Sequence, residues 1–181
     1  MAVRGLLVGR FQPFHRGHQA VVQALKKERP EETLLLGIGS AQESYTWKNP
    51  FTAGERYEML ERALATDRLT GWIAVPLPDI QRHAQWVSYL ESLLPKFERV
   101  YTNNPLTQLL FEHSGYIVEN PTLVDRGNLE GARIRSLLAT GGEWTPFVAP
   151  SVKKYLLQIQ APERLGLLAK GEGSAAGREK E

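Results

Sequence analysis

The sequence predicts an α/β fold with an open, mostly parallel sheet of about five strands and helices on both faces. Short apolar runs rich in Leu, Ile and Val alternate with amphipathic helical patterns along most of the 181 residues, which is typical of a parallel sheet with crossover helices. No internal repeat interrupts this alternation. The predicted strands cover residues 4–8, 33–38, 72–75, 99–102 and 116–119.

Helix-start signals support the same alternation. Thr52 and Glu55 are spaced as a capping box, in which the Thr hydroxyl and the Glu carboxylate each bind a free backbone N–H. Asn104 followed by Pro105 is a second start signal, because Pro suits the first helical position. A polar loop is expected over residues 120–128. The other helices are predicted over residues 18–28, 83–94, 131–139 and 151–160.

Composition bounds the domain count and the class of partner. A chain of 181 residues suits one domain, predicted over residues 1–168, with a Gly-, Ser- and charge-rich disordered tail over 169–181. The formal net charge of +2 is too small to indicate nucleic acid or a membrane surface as a partner. The chain has no Cys, which excludes disulfides and a thiolate nucleophile. Since there is neither a signal-peptide pattern nor a long apolar run, a cytoplasmic location is expected.

The stretch from Gly9 to His18, with the sequence GRFQPFHRGH, carries the strongest functional signal. It lies between the first predicted strand and the first predicted helix, so His15 and His18 would share one face at a helix N-terminus. Free backbone N–H groups and the positive end of the helix dipole favour an anion there. Imidazole N–H donors and the charges of Arg10 and Arg16 add to this preference. The pattern predicts a phosphate-binding site for a nucleotide.

Two other interpretations of this stretch stay open. The histidines could be ordinary surface residues, but this leaves unexplained the preceding strand, the intervening Gly17 and the aromatic pair Phe11 and Phe14. A zinc site would need further ligands, and only His83 and His113 remain in a chain without Cys. Phosphate binding is favoured, although the chain has neither the GxGxxG fingerprint nor a P-loop.

Polar or small residues follow each predicted strand. In open α/β sheets ligands bind at the carboxyl ends of the strands, which meet at one edge, so these residues should converge. The segments concerned are 9–10, 39–42, 78–79 and 102–104, together with Arg133 and Arg135 after the last strand.

The GRFQPFHRGH stretch resembles the signature of the nucleotidyltransferase superfamily that carries (His/Thr)-x-Gly-His. More narrowly, GSAQ at 39–42, NPFTAGER at 49–56 and VYTNNPL at 100–106 are similar to the archaeal type of nicotinamide-nucleotide adenylyltransferase. The likeness covers about residues 4–160. It implies a Rossmann-like fold of the nucleotidyltransferase type and the transfer of AMP from ATP to nicotinamide mononucleotide (NMN). It also implies Mg²⁺ bound mainly through ATP phosphates and water, and a homo-oligomer, hexameric in similar enzymes.

The resemblance also implies roles for individual residues. The catalytic residues would be His15, His18, Arg10 and Arg135, and no residue is assigned to a metal. The ATP-binding residues would be Gly9, Phe11, Gly17, Arg133 and Ile134. The NMN-binding residues would be Ser40, Lys48, Asp79, Ile80, His83, Trp86, Thr102 and Asn103, with the indole of Trp86 stacked on the nicotinamide ring.

Some residues depart from the family pattern. Where the family's second motif is Ser-Gly-Thr-x-(Ile/Val)-Arg, Glu130 and Ala132 replace the two hydroxyl residues, so any phosphate contact those hydroxyls make is lost or supplied elsewhere. Lys48 stands where relatives often carry Arg, which keeps the charge but loses the bidentate fork. His83 stands where Asn is more usual.

Other functions remain open from the sequence. A different phosphorylated acceptor, such as pantetheine phosphate, a flavin phosphate or an alcohol phosphate, is compatible with the superfamily motif. The altered second motif also fits a nucleotide-sensing module without catalysis, and a structural oligomer component is a further alternative. In these cases Trp86 could be a plain core residue and Asp79 a turn residue.

Overall fold

The computed structural model describes residues 3–122 and 129–175, with side chains up to Gly171. Five parallel strands form one sheet in the order β3-β2-β1-β4-β5. This confirms the predicted α/β fold. The strands are β1 Arg4–Gly9, β2 Thr33–Gly39, β3 Trp72–Leu77, β4 Arg99–Tyr101 and β5 Ile117–Glu119.

The sheet separates two hydrophobic cores, because successive strand side chains point to opposite faces. In β2, Leu34 and Leu36 join the core formed with α1, α2 and the C-terminal helices, whereas Leu35 joins the core on the other face. Central β1 pairs with β2 on one side and β4 on the other. The strand order therefore reverses between β1 and β4, which is where such folds bind ligands.

Seven α-helices and one 3₁₀ turn surround the sheet in the described part of the chain. α1 begins two residues before its predicted start, because His15 rather than a later residue caps it. Thr52 and Glu55 form the predicted capping box, and Asn104 caps α4 as predicted. The helices are α1 Arg16–Glu28, α2 Ala53–Thr66, α3 His83–Leu93, α4 Pro105–His113, α5 Gly131–Thr140, α6 Pro150–Gln158 and α7 Ala161–Ala175, and the 3₁₀ turn is Thr145–Phe147.

Strand β3 is longer than predicted. Its pairing with β2 continues through Pro76 and Leu77, although Pro usually ends a strand. An edge strand tolerates Pro, since the missing N–H can fall on the side that has no neighbour. Strands β4 and β5 are each one residue shorter than predicted.

The helix α7 was not predicted, and it overlaps the segment 169–181 for which disorder was expected. Ala161 and Leu165 are fully buried in the core that also holds α5. Burial of this apolar face outweighs the weak helix propensity of Gly166 and Gly171. Residues 123–128 of the predicted polar loop and residues 176–181 of the predicted tail lie outside the described residues. Within the described part of the chain, no helix is long and apolar enough to span a membrane.

Candidate functional site

The two histidines of the GRFQPFHRGH stretch stack at the N-terminus of α1, directly after β1. Their ring centroids are 3.7 Å apart with an interplanar angle of 24°. His15 is the N-cap residue and its Nδ1 accepts the N–H of Gly17 at 3.2 Å. The Nδ1 of His18 accepts the N–H of His15 at 3.4 Å. The pair thus forms a capping box in which imidazoles replace the usual hydroxyl and carboxylate.

Both imidazoles are neutral at physiological pH. Burial lowers the pKa of His15 from 6.5 to about 4. Burial, and then the proximity of His15, hold the pKa of His18 well below its ordinary range. Because each Nδ1 already accepts a backbone N–H, the ring proton lies on Nε2 in both residues. The site therefore offers two Nε2–H donors without adding positive charge.

Aromatic rings and glycines fix the position of this pair. Phe11 contacts the His18 ring edge-on with centroids 5.0 Å apart, and Phe14 stacks on it at 5.6 Å. A Cβ on Gly9 would lie 2.6 Å from the Phe11 ring, and one on Gly17 would lie 3.1 Å from the His15 ring. The structure thus gives both glycines a packing role, and it buries Phe11 as a support for His18.

The positive charge of the site comes from arginines. Arg135 is buried and donates from Nη1 to the carbonyl of Gln12 at 2.8 Å. Its Nε is also buried, with no hydrogen-bond partner among the residues that the structure describes. Burial, and then the charge of Arg10, lower the pKa of Arg135. A buried donor without a partner and a second cation nearby both favour an anionic ligand.

Arg56 is a site residue that the sequence did not indicate. It is fully buried, and its guanidinium donates to the carbonyls of Arg10, Gly39, Ser40 and Thr52 at 2.7–3.2 Å. Burial lowers its pKa to about 10. It joins the ends of β1 and β2 to the start of α2.

One signal could have identified Arg56. It falls in register with the apolar stripe of α2, where a charged residue is not expected. The stripe consists of Met59, Leu60, Ala63 and Leu64.

A cavity of ≈ 340 Å³ lies between the loop after β3, α3 and the start of α4. This is within the range of small-molecule sites. As expected, it brings together Asp79, Ile80, His83 and Trp86. The indole of Trp86 is partly buried, with its ring edge-on to Phe111 at 5.6 Å, so it supports the core and lines the cavity at once. The lining also includes Gln81, Arg82, Asn104, Leu106, Thr107 and Leu110.

Thr102 and Asn103, which are also expected to bind NMN, do not line this cavity. The Thr102 hydroxyl accepts the N–H of Asn104 at 3.1 Å, and the Asn103 side chain donates to the carbonyl of Pro121 at 2.8 Å. The Thr102 side chain therefore supports the start of α4, and the Asn103 side chain binds the segment after β5. The cap of α4 instead places Asn104 at the cavity.

The β2–α2 loop (residues 40–52) carries the two other residues expected on the acceptor side. Ser40 has a positive φ of 48°, and its carbonyl accepts from Arg56. Lys48 is exposed. The side-chain amide of Gln12 binds the backbone of Phe51 at both its N–H and its C=O, each at 3.0 Å, which ties the loop to the segment that also contacts Arg135.

Three other residues expected on the donor side contact other parts of the chain. Ile134 is fully buried in the core and its N–H donates to the carbonyl of Glu130, so it presents neither its side chain nor its N–H to ATP. The guanidinium of Arg133 lies 5.3 Å from the Phe147 ring centroid, whereas Arg16 donates to the carbonyl of Pro146. Both cations therefore extend toward the 3₁₀ turn.

Within the described residues, no cluster of three or more His, Asp or Glu side chains could hold a metal ion. The donors that converge at α1 and α5 are N–H groups, which bind anions.

Comparison with known proteins gives the class and then the family. Residues 6–137 match the model of the cytidylyltransferase-like family, and together with the fold and the α1 site this defines the chain as a nucleotidyltransferase. A nicotinamide-nucleotide adenylyltransferase of Halobacterium salinarum is 44% identical over 162 residues, covering 90% of each chain. The Picrophilus torridus protein of the same name is 40% identical over 170 residues, covering 94% of this chain and 99% of that relative. The chain belongs to the nicotinamide-nucleotide adenylyltransferase family.

Solved structures support the fold. A bifunctional NMN adenylyltransferase/ADP ribose pyrophosphatase from Francisella tularensis superposes with a TM-score of 0.81 at 17% identity, covering 99% of this chain and 56% of that one. A second structure of the Francisella protein, complexed with AMP and a Mn ion, has a TM-score of 0.78 at 16% identity, covering 99% of this chain and 55% of that one. This chain spans about half the length of these bifunctional proteins.

Proposed function

We propose that this chain transfers the adenylyl group of ATP to NMN, which yields NAD and pyrophosphate. The observation that carries the proposal is a site in two parts at the edge where the strand order reverses. One part is a set of anion-binding donors at α1 and α5, and the other is an aromatic-lined cavity beside α3. The names of relatives at 40–44% identity support the same reaction.

The donor part suits a triphosphate. The Nε2–H groups of His15 and His18, the free Nε of Arg135 and the charge of Arg10 would bind ATP phosphates. Neutral imidazoles add donors at small desolvation cost, and the arginines supply the charge. Arg135 is buried, and its hydrogen bond to the Gln12 carbonyl fixes its orientation. This favours a catalytic role over a sensing role. The replacement of two hydroxyl residues by Glu130 and Ala132 does not change this arrangement.

The acceptor part suits a mononucleotide with a flat cationic ring. The Trp86 indole would stack on the nicotinamide, and Asp79, Ile80 and His83 would bind its carboxamide. Lys48 with Ser40 would bind the 5′-phosphate at the end of β2. The backbone of Gly9 and Gly17 remains available in this proposal for close approach of ATP.

The reaction needs positioning more than proton transfer. An oxygen of the NMN 5′-phosphate attacks the α-phosphorus of ATP, the new P–O bond forms, and the bond to the β-phosphate oxygen breaks as pyrophosphate leaves. A nucleotide monophosphate with a second pKa of about 6 is already mostly dianionic at neutral pH. The chain therefore has to align two anions and stabilise charge that builds on pyrophosphate.

Divalent metal use is consistent with the Mn ion in the Francisella structure. We propose Mg²⁺ as the physiological ion, bound mainly through ATP phosphates and water, because such coordination is usual for this ion. The protein's part is to bind the phosphate oxygens that the ion leaves free.

The proposal also covers the location of the protein, its partners and its oligomeric state. The cytoplasm is the proposed location, with neither nucleic acid nor a membrane as partner. Self-association, as a hexamer, is proposed from the family resemblance alone.

The experiment is a product analysis with the purified chain, ATP, Mg²⁺ and NMN. NAD and pyrophosphate should form in equal amounts, and replacing NMN with pantetheine phosphate, flavin mononucleotide or glycerol phosphate should abolish pyrophosphate release. Absence of NAD with NMN, or preference for another acceptor, would refute the proposal.

The His18→Ala variant tests the role of the imidazole pair in the same assay. Its kcat should fall by at least ~100-fold, as for loss of other preorganised donors, while its thermal unfolding stays cooperative. His113→Ala removes an exposed imidazole from α4 and should keep wild-type turnover. A folded His18→Ala variant with near-normal kcat would remove His18 from the mechanism.

A further inference from the structure

The last helix contacts the β2–α2 loop through one arginine. Arg164 in α7 donates from Nη1 to Oε2 of Glu55 and from Nη2 to Oε1, both at 2.7 Å. Its Nη1 also donates to the carbonyl of Pro50 at 3.2 Å. The guanidinium lies 4.6 Å from the centroid of the Tyr45 ring. Arg164 therefore contacts two points of the loop and the first turn of α2.

These contacts flank the part of the loop that carries Lys48, which lies between Tyr45 and Pro50 in the sequence and is exposed. The two ends of the loop have other supports, since Arg56 binds the carbonyl of Ser40 and Gln12 binds the backbone of Phe51. Arg164 supports the middle of the loop through its contacts with Tyr45 and Pro50.

The same helix also packs against α5. Ala161 and Leu165 of α7 are fully buried in the core that contains Ile134 and Leu138 of α5, and a Cβ on Gly166 would lie 3.7 Å from the carbonyl of Ala139. α7 therefore bridges the helix that carries Arg135 and the loop that carries Lys48.

We propose that Arg164 is a positioning residue for the acceptor, which holds the β2–α2 loop so that Lys48 meets the phosphate of NMN. This inference rests on the proposed function. Arg164 itself touches the loop and not the substrate, so it acts on acceptor binding through the loop conformation. ATP binding at α1 and α5 is expected to be nearly independent of it.

The geometry makes Arg164 hard to replace. Its side chain and that of Glu55 are each only 15% exposed, and the guanidinium binds the carboxylate with two parallel hydrogen bonds, which Lys cannot reproduce. Burial alone would raise the pKa of Glu55, but hydrogen bonds from Arg164 and Thr52 outweigh it and lower that pKa.

The start of α2 does not depend on Arg164 alone. Oε2 of Glu55 also accepts the N–H of Thr52 at 2.9 Å, and the Thr52 hydroxyl accepts the N–H of Glu55 at 3.1 Å. This capping box remains when Arg164 is changed. A substitution there should therefore release the loop without unfolding the helix.

The test compares Arg164→Ala and Arg164→Lys with the wild-type chain in steady-state kinetics. The KM for NMN should rise about fivefold to tenfold in Arg164→Ala, the size expected for a residue that acts through its neighbours, and less in Arg164→Lys. The kcat and the KM for ATP should stay within about twofold. Without any substrate, backbone hydrogen exchange of residues 41–50 should become faster in both variants.

Arg62→Ala is the matched control. Arg62 lies on α2, forms an ion pair with Glu58 at 3.0 Å and lies 4.6 Å from the Tyr155 ring centroid, so it makes the same kinds of contact away from the loop. This variant should leave the KM for NMN and the exchange of residues 41–50 unchanged.

Two results would overturn the inference. One is an equal rise of the KM values for NMN and ATP, which would indicate a general loss of structure. The other is unchanged exchange of residues 41–50 in Arg164→Ala. If the wild-type chain does not use NMN, the proposed function fails and acceptor positioning fails with it, whereas the exchange comparison still decides whether Arg164 holds the loop.

Discussion

His15 and His18 show how a helix N-terminus can present imidazole N–H donors without histidine charge. Each Nδ1 accepts a backbone N–H of the first turn, and burial keeps the pKa of both rings low. The rings therefore act as rigid N–H donors at neutral pH. The proposed attraction of phosphate comes instead from Arg10 and Arg135, and the charge of Arg10 lowers the pKa of Arg135.

The low pKa of His15 predicts a pH dependence of stability. A group that is neutral when buried but titrates near 6.5 when unfolded binds more protons in the unfolded chain. The free energy of unfolding should therefore fall as pH drops from about 6.5 toward about 4, with His15 accounting for roughly 2–3 kcal/mol of the loss.

The variant His15→Asn isolates this effect. Asn is a good N-cap residue and can still accept the N–H of Gly17, but it does not titrate. Denaturant unfolding at pH 7 and pH 4.5 should show a smaller loss of stability in the variant than in the wild type. Equal losses would contradict the burial of a neutral imidazole at this position.

The start of α2 is the element that joins the chain segments at the ends of β1 and β2. Arg56 binds carbonyls from β1, β2 and the N-cap of α2, so one guanidinium fixes three segments that end at the same edge. It is fully buried, and these carbonyls would lose a donor if the side chain were shortened.

The variant Arg56→Lys keeps the charge but cannot reach all these carbonyls from one ammonium group. Its free energy of unfolding should fall by ~2–4 kcal/mol, because buried carbonyls lose their donors. The Arg62→Lys change on the same helix, at a partly exposed side chain, should cost less than ~0.5 kcal/mol. Equal stability of the two variants in denaturant unfolding would show that the hydrogen bonds of Arg56 do not stabilise the fold.

The elements with local signals were predictable from the sequence, and the others were not. The apolar run of β1, the GRFQPFHRGH stretch and the capping box at Thr52 are encoded within a few residues, so their positions were predicted within about two residues. α7 has a Gly-rich, weakly patterned sequence and is stabilised by packing on α5, which no local pattern reveals.

The same distinction applies to the site. The placement of His15 and His18 together at the start of α1 was predictable from the spacing of the motif. The contacts of Thr102 and Asn103 with the segment after β5 could not be predicted, because these hydrogen bonds link residues 18 positions apart. For the same reason the contributions of α4 to the cavity became visible only in three dimensions.

The molecule as a whole places the paired imidazoles and the aromatic-lined cavity at the carboxyl edge of the same sheet. β1 and α1 provide the first, and β3, α3 and α4 provide the second. The C-terminal helix α7 packs against α5 and contacts the β2–α2 loop through Arg164. A chain with this arrangement can align two phosphate-bearing substrates while it supplies few titrating groups of its own.

The most direct test of this account is a crystal structure of the chain with α,β-methylene ATP, an analogue that cannot transfer its adenylyl group. Phosphate oxygens should lie within hydrogen-bonding distance of Nε2 of both His15 and His18, with Arg135 contacting the same phosphate chain. A triphosphate bound away from both imidazoles would contradict the central claim.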